Sequence, residues 1–243
     1  WKMLARGLLN FVAYTAYYLG LAYVPMADAV ALFFTSPLFI TLAAVLFLGE
    51  RVRFLTALAL AAGFGGVLMV VKPGGEGFDL AAFLPIIGAL GYAISMVVAR
   101  PMGRTESAAA MAFWGNVCFL LCALALSAVY GSGAYAGATH PSLAFLTRGW
   151  VMPGVADFLL MSVCGVIAAS GLTLLTFAYR VAPAATVAPF EYSFMFWAVL
   201  WGWMFWGDLP DRLGWVGIAV IVAAGMLVIH MTGKQKAAPE GAA

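Results

Sequence analysis

The sequence predicts an all-α polytopic membrane protein: eight transmembrane helices belonging to an inverted-repeat bundle of ten, five plus five. Three observations predict it. Only 9% of the 243 residues are charged and 65% are hydrophobic. A soluble domain carries about 25% charged residues, so this chain could not cover a water-facing surface. Apolar runs long enough to cross a hydrocarbon core of roughly 30 Å recur along the chain. Finally, a segment near the start returns near the end, crossing in the opposite direction.

The apolar runs place spans at 7–23, 26–48, 54–71, 82–99, 108–130, 155–179, 184–206 and 213–231. The first carries Asn10, Tyr14, Thr15, Tyr17 and Tyr18. Asn10, Tyr14 and Tyr17 fall at i, i+4 and i+7, one helix face; such a stripe either lines a path or joins helices. The second span holds Thr35, Ser36 and Pro37 at mid-depth, a polar kink. Serine and threonine beside proline often satisfy the carbonyls it frees. In the fourth, Tyr92 and Ser95 share a face beside Gly88 and Gly91, small residues that let helices approach closely. Cys118 and Cys122 share a face of the fifth, and Cys164 lies in the sixth. An odd count inside spans gives no disulfide framework. Cys118 and Cys122 have no His or acidic residue in their own helix to complete a metal site, and neither a metal nor a cofactor is expected. The seventh span carries Pro189, Glu191, Tyr192, Trp197 and Trp201. Residues 131–154, rich in Gly, Ser and Pro, are expected as a surface loop, and 233–243 as a disordered tail.

Charge orients the bundle. With eight spans, Lys2, Arg6, Arg51, Arg53, Arg100, Arg104, Arg180, Lys234 and Lys236 fall on the side of the termini. Lys72, Arg148 and Arg212 fall on the other. The positive-inside rule then places both termini in the cytoplasm. Twelve basic against ten acidic residues leave no basic face for nucleic acid.

Residues 25–50, PMADAVALFFTSPLFITLAAVLFLGE, align without a gap on residues 183–208, PAATVAPFEYSFMFWAVLWGWMFWGD, at an offset of 158. Pro25 meets Pro183, Gly49 meets Gly207, and Glu50 meets Asp208. A Gly/Ala-rich helix follows each copy. The second copy starts five helices after the first, an odd number, so the two cross in opposite senses. That is the inverted-topology repeat of many secondary transporters. A five-helix unit gives a partial first repeat at 1–72 and a full second repeat at 81–232. Two further helices are therefore expected before Trp1.

These two segments, each followed by its Gly/Ala-rich helix, resemble the EamA family of the drug/metabolite transporter superfamily over nearly the whole chain. The resemblance implies an inner-membrane carrier of small organic solutes, monomeric or dimeric and often an exporter. It implies that the family's third, fourth, sixth, eighth and ninth helices line the cavity, with the fifth and tenth peripheral. It supplies no family-wide catalytic residue.

Glu191 is the charge that needs a reason. It lies about 10 Å into the core, seven residues past Ala184. A carboxylate there costs at least ~2.5–3.5 kcal/mol unless it faces a polar cavity or is protonated. Pro189 frees a carbonyl at the same depth. Glu191 is thus the candidate for binding a solute amine or a coupling proton, against the alternative of a neutral carboxyl bonded to a neighbouring helix. Tyr192, Asn10, Tyr14, Ser36, Trp197 and Trp201 are the other candidate contacts, with Pro37 and Pro189 as kinks. No Walker A, HExxH or GxSxG motif is present. A Ser170/His230 dyad, the intramembrane-enzyme alternative, would need a mid-helix serine to reach a histidine near the surface. A transport-inactive remnant is the other alternative.

Overall fold

The computed structural model describes residues 2–49, 54–72, 79–102, 106–181 and 193–237, and these are helical with short connections. The helices are α1 (Lys2–Leu21), α2 (Met26–Phe33), α3 (Ser36–Leu48), α4 (Phe54–Val71), α5 (Leu84–Met102), α6 (Ala108–Tyr130), α7 (Pro141–Thr147), α8 (Val155–Val181), α9 (Ser193–Trp206) and α10 (Arg212–Ala237). A 3-10 turn, Leu80–Phe83, leads into α5.

Five stretches among the described residues are long and apolar enough to cross a membrane: Met26–Phe47, Phe54–Val71, Leu80–Ala99, Phe113–Tyr130 and Arg212–Met231. Val155–Ile167 and Ser193–Trp206 are shorter apolar helices. The polar stripe of α1 dilutes its hydropathy, and α1 is not among the five.

The expected second span is two helices. Pro37 has no N–H, so the Phe33 carbonyl loses its helical donor. The chain breaks at Phe34 and Thr35, and Thr35 takes over locally. Its hydroxyl donates to the Leu32 carbonyl at 2.6 Å. Its own carbonyl accepts from Leu38 and Phe39. Thr35 is fully buried, so these bonds replace water that cannot reach it. Two other expectations need correcting. The 131–154 loop contains α7, whose first turn is capped by the His140 ring accepting the Ser142 N–H at 3.2 Å. The last helix also continues to Ala237, past the point where the tail was expected to begin.

Glycines set the packing. A Cβ on Gly66 would sit 2.9 Å from the Gly217 carbonyl oxygen, and one on Gly217 would sit 2.8 Å from that of Gly66. Gly63 faces Ala224, Gly66 also faces Ile221, and the Thr56 hydroxyl meets the Met231 sulfur. Rising numbers on α4 meet falling numbers on α10, so the pair is antiparallel. Helices α1 and α5 are likewise antiparallel, with Gly20 against Pro85 and Gly91 against Ala13. Helix α6 runs parallel to α1, with Gly7 against Cys118 and Phe11 against Phe119. Helix α9 lays Met195 and Ala198 on Val30, Ala31 and Ile218. In α8, every residue whose burial is described is exposed.

Candidate functional site

Helix α1 has three kinds of surface. Ala13, Ala16 and Gly20 are buried, with Ala13 and Gly20 against α5. Leu8 and Val12 are exposed aliphatics. Between these lies the polar and aromatic stripe, where Tyr14 and Tyr18 are exposed while Asn10 and Tyr17 are half-buried.

Tyr17 carries the stripe onto neighbouring helices. Its ring lies 5.1 Å from Phe33 of α2, and Phe33 lies 5.7 Å from Tyr92 of α5. Tyr14 packs edge-on to Phe119 of α6 at 6.0 Å. One turn below Asn10, the Arg6 guanidinium donates through Nε to the Ser95 carbonyl at 3.3 Å. Ser95 Oγ and Asn10 Oδ1 are buried with no hydrogen-bond partner among the described residues. Buried polar atoms are rarely left so, and here one lies on α1 and one on α5.

A second aromatic wall stands on α9. Trp197 stacks on Trp201 at 6.1 Å and 22°, and Trp201 stacks on Phe205 at 5.6 Å and 26°. These residues sit at i, i+4 and i+8, one ladder along the exposed side of the helix. Phe194 of α9 meets Phe34 edge-on at 6.4 Å. Two consecutive residues at the α2 break therefore touch both walls: Phe33 the α1–α5 wall and Phe34 the α9 wall.

The expected site residues fall into these places unevenly. Asn10 and Tyr14 lie on the first wall, and Trp197 and Trp201 on the second. Ser36 and Pro37 open α3 beside the break, with Ser36 buried. No described contact joins the first pair directly to the second. Glu191, Tyr192 and Pro189 lie outside the described residues. In the sequence Arg6 reads only as an orienting charge. Its place four residues before Asn10, on the same stripe, was the signal that it belongs with the wall. Ser95, beside Gly88 and Gly91, reads as a packing residue.

Where α1, α4, α5 and α10 meet one membrane surface, an ion pair and a carboxylate–imidazole hydrogen bond gather. Lys72 pairs with Asp211 at 2.5 Å. Asp211 is held below the usual carboxylate range by the Lys72 hydrogen bond and the Gly214 N–H. Asp79 is also lowered, first by the Ala81 N–H and then by His140, 3.1 Å away. The His140 ring stacks on Tyr23 at 5.2 Å. Among the described residues no cluster of three or more His, Cys, Asp or Glu could hold a metal.

Apolar helices of membrane-crossing length, packed through glycines around a polar and aromatic wall, make the architecture of a membrane transporter. The comparisons agree. The pattern of the EamA-like transporter family matches residues 1–72. A riboflavin transporter of Rhizobium johnstonii is 34% identical over 230 residues, 95% of this chain and 70% of the relative. A pseudopaline exporter of Pseudomonas aeruginosa is 28% identical, over 91% of this chain and 72% of its own length. An S-adenosylmethionine uptake transporter of Rickettsia bellii is 23% identical, over 93% and 71%. No solved structure matches. The chain belongs to the EamA-like transporter family, within the drug/metabolite transporter superfamily.

Proposed function

We propose that this chain is a secondary carrier of a small organic metabolite, working by alternating access between two inverted repeats, 1–72 and 81–232. The observation that carries the reading is a symmetry in contacts. Gly63 meets Ala224, and Gly66 meets Ile221. Adding 158 to 63 gives 221, and adding 158 to 66 gives 224, so the repeat offset exchanges the two pairs. Packed, antiparallel α4 and α10 are what an in-plane two-fold axis requires.

In this reading eight helices cross the membrane, α1, α8 and α9 included, and both termini are cytoplasmic. Helix α1 packs on α5 and α6. Its repeat mate spans 160–179 in α8, where every residue whose burial is described is exposed. Glu191 binds a solute amine or a coupling proton beside the Pro189 kink. Asn10, Tyr14, Ser36, Tyr192, Trp197 and Trp201 contact the solute. The sequence reading favours export. The relatives include one named for export and one for uptake.

The relatives named for riboflavin make it the first solute to try. The complete natural protein would be reconstituted into liposomes and flux of labelled riboflavin measured, with and without an imposed proton gradient. Saturable flux above protein-free liposomes, in both directions, supports the carrier. Absence of flux for riboflavin and for a metabolite panel from the source cells would sink it.

A further inference from the structure

At the end of the bundle that bears His140, α1 and α6 part and leave a groove of about 460 Å3. Its floor is apolar: Phe11, Phe119 and Ala123. Toward Tyr130 the lining is mixed: Tyr18, Ser127 and Tyr130 bring hydroxyls among Leu19, Leu126 and Leu146, and Arg148 and Trp150 stand on the rim. From Phe119 to Tyr130 is eleven residues of helix, about 16 Å of length.

The rim is built. The Trp150 N–H donates to the Gly131 carbonyl at 3.0 Å, and the Arg148 N–H to that of Ala144 at 3.1 Å. Gly149 lies so close to Gly133 that a Cβ would come within 3.0 Å of its Cα. The Asp79–His140 contact ties this segment to the start of α5. Arg148 therefore sits over the Phe145 ring, 4.5 Å from its centre. No described carboxylate pairs with it: Asp211 is paired with Lys72, and Asp79 is hydrogen-bonded to His140. Trp150 is largely exposed beside it, as expected of a ring at the membrane interface.

We propose that this groove binds a phospholipid of the adjacent leaflet with an anionic headgroup, its acyl chain against Phe11 and Phe119 and its phosphate at Arg148. The charge is complementary, since a guanidinium with no carboxylate partner among the described residues, above an apolar cleft, calls for an anion with an apolar tail. Guanidinium binds phosphate oxygens in a two-pronged fashion. The bilayer supplies such a molecule at the depth where Phe113–Tyr130 crosses it. This inference does not depend on the solute or on the transport cycle.

The test is native mass spectrometry of the complete natural protein in mild detergent, titrated with phosphatidylglycerol or phosphatidylcholine of equal chain length. Wild type is expected to favour phosphatidylglycerol by about fivefold, the worth of one basic residue at a membrane surface. Arg148→Gln should erase that preference, Arg148→Lys should keep most of it, and Ala123→Phe should lower uptake of both lipids. Elution volume and thermal midpoint check that each variant folds. Equal binding of the two lipids by wild type, or an unchanged preference in Arg148→Gln, overturns the proposal. So does full displacement by glycerol 3-phosphate, which would mark a site for free anions. A wild-type protein that takes up neither lipid, its groove filled by another part of the chain, overturns it as well.

Discussion

The backbones of Gly66 and Gly217 meet directly: each would place an added Cβ within 2.9 Å of the other's carbonyl oxygen. Backbone atoms cannot step aside as a flexible side chain can. Gly66→Ala and Gly217→Ala should each destabilise the protein by about 1–3 kcal/mol through forced separation of α4 and α10. Gly65, with open space around its would-be Cβ, is the control, and alanine there should be neutral or stabilising by up to about 1 kcal/mol. Thermal unfolding in detergent measures all three. Equal midpoints for Gly65→Ala and Gly66→Ala would refute the close contact as a source of stability.

Pro37→Ala returns an N–H to the Phe33 carbonyl and favours a continuous helix through Thr35. The variant should be as stable as wild type or more so, yet transport more slowly. Parallel melting and liposome flux separate the two effects. Full flux would show that the break is not needed for movement.

The Asp211 carboxyl is held low chiefly by its hydrogen bond to Lys72. A depressed carboxylate contributes its stability above the ordinary carboxylate range and loses it as pH falls through the folded value. Thermal midpoints of wild type should therefore drop below about pH 4, and Asp211→Asn should flatten that drop while lowering the midpoint at pH 7. Both partners are well exposed to solvent, so the effect should also shrink in high salt. A salt-insensitive difference would point to the Gly214 N–H bond instead.

Trp197 and Trp201 form an exposed stacked pair. If a planar solute lies on the ladder, Trp201→Ala should raise KM roughly two- to tenfold, the worth of one aromatic contact, with little change in maximal rate. A change confined to maximal rate would assign the ring to packing.

Glu191→Gln keeps the shape and removes the charge. Cells expressing it should lose the change in extracellular metabolites that wild type produces. Identical solute profiles would remove Glu191 from recognition and coupling.

The sequence made much of this fold legible because membrane spans depend on local composition. Low charge and long apolar runs identify helices without any knowledge of what they touch, and the proline at position 37 announced the break. Other features depend on tertiary contacts. Arg6 reads as an interfacial charge until α5 brings the Ser95 carbonyl to it. His140 reads as a loop residue until it is found capping α7 while meeting Asp79. The Arg148 groove could not be read at all, since α1 and α6 are far apart in the chain. Glycines 66 and 217 were visible as small residues, but their mutual contact follows from helix register, which spacing within either helix does not fix.

The break between α2 and α3 has a mechanical consequence. Phe33 touches Tyr17 and Tyr92, Phe34 touches Phe194, and one peptide unit joins them. That unit is planar and stiff, and its two Cα atoms lie about 3.8 Å apart. The α1–α5 wall and α9 thus rest on adjacent side chains carried by a single rigid peptide plate, so the break sets the two walls one residue apart along the chain.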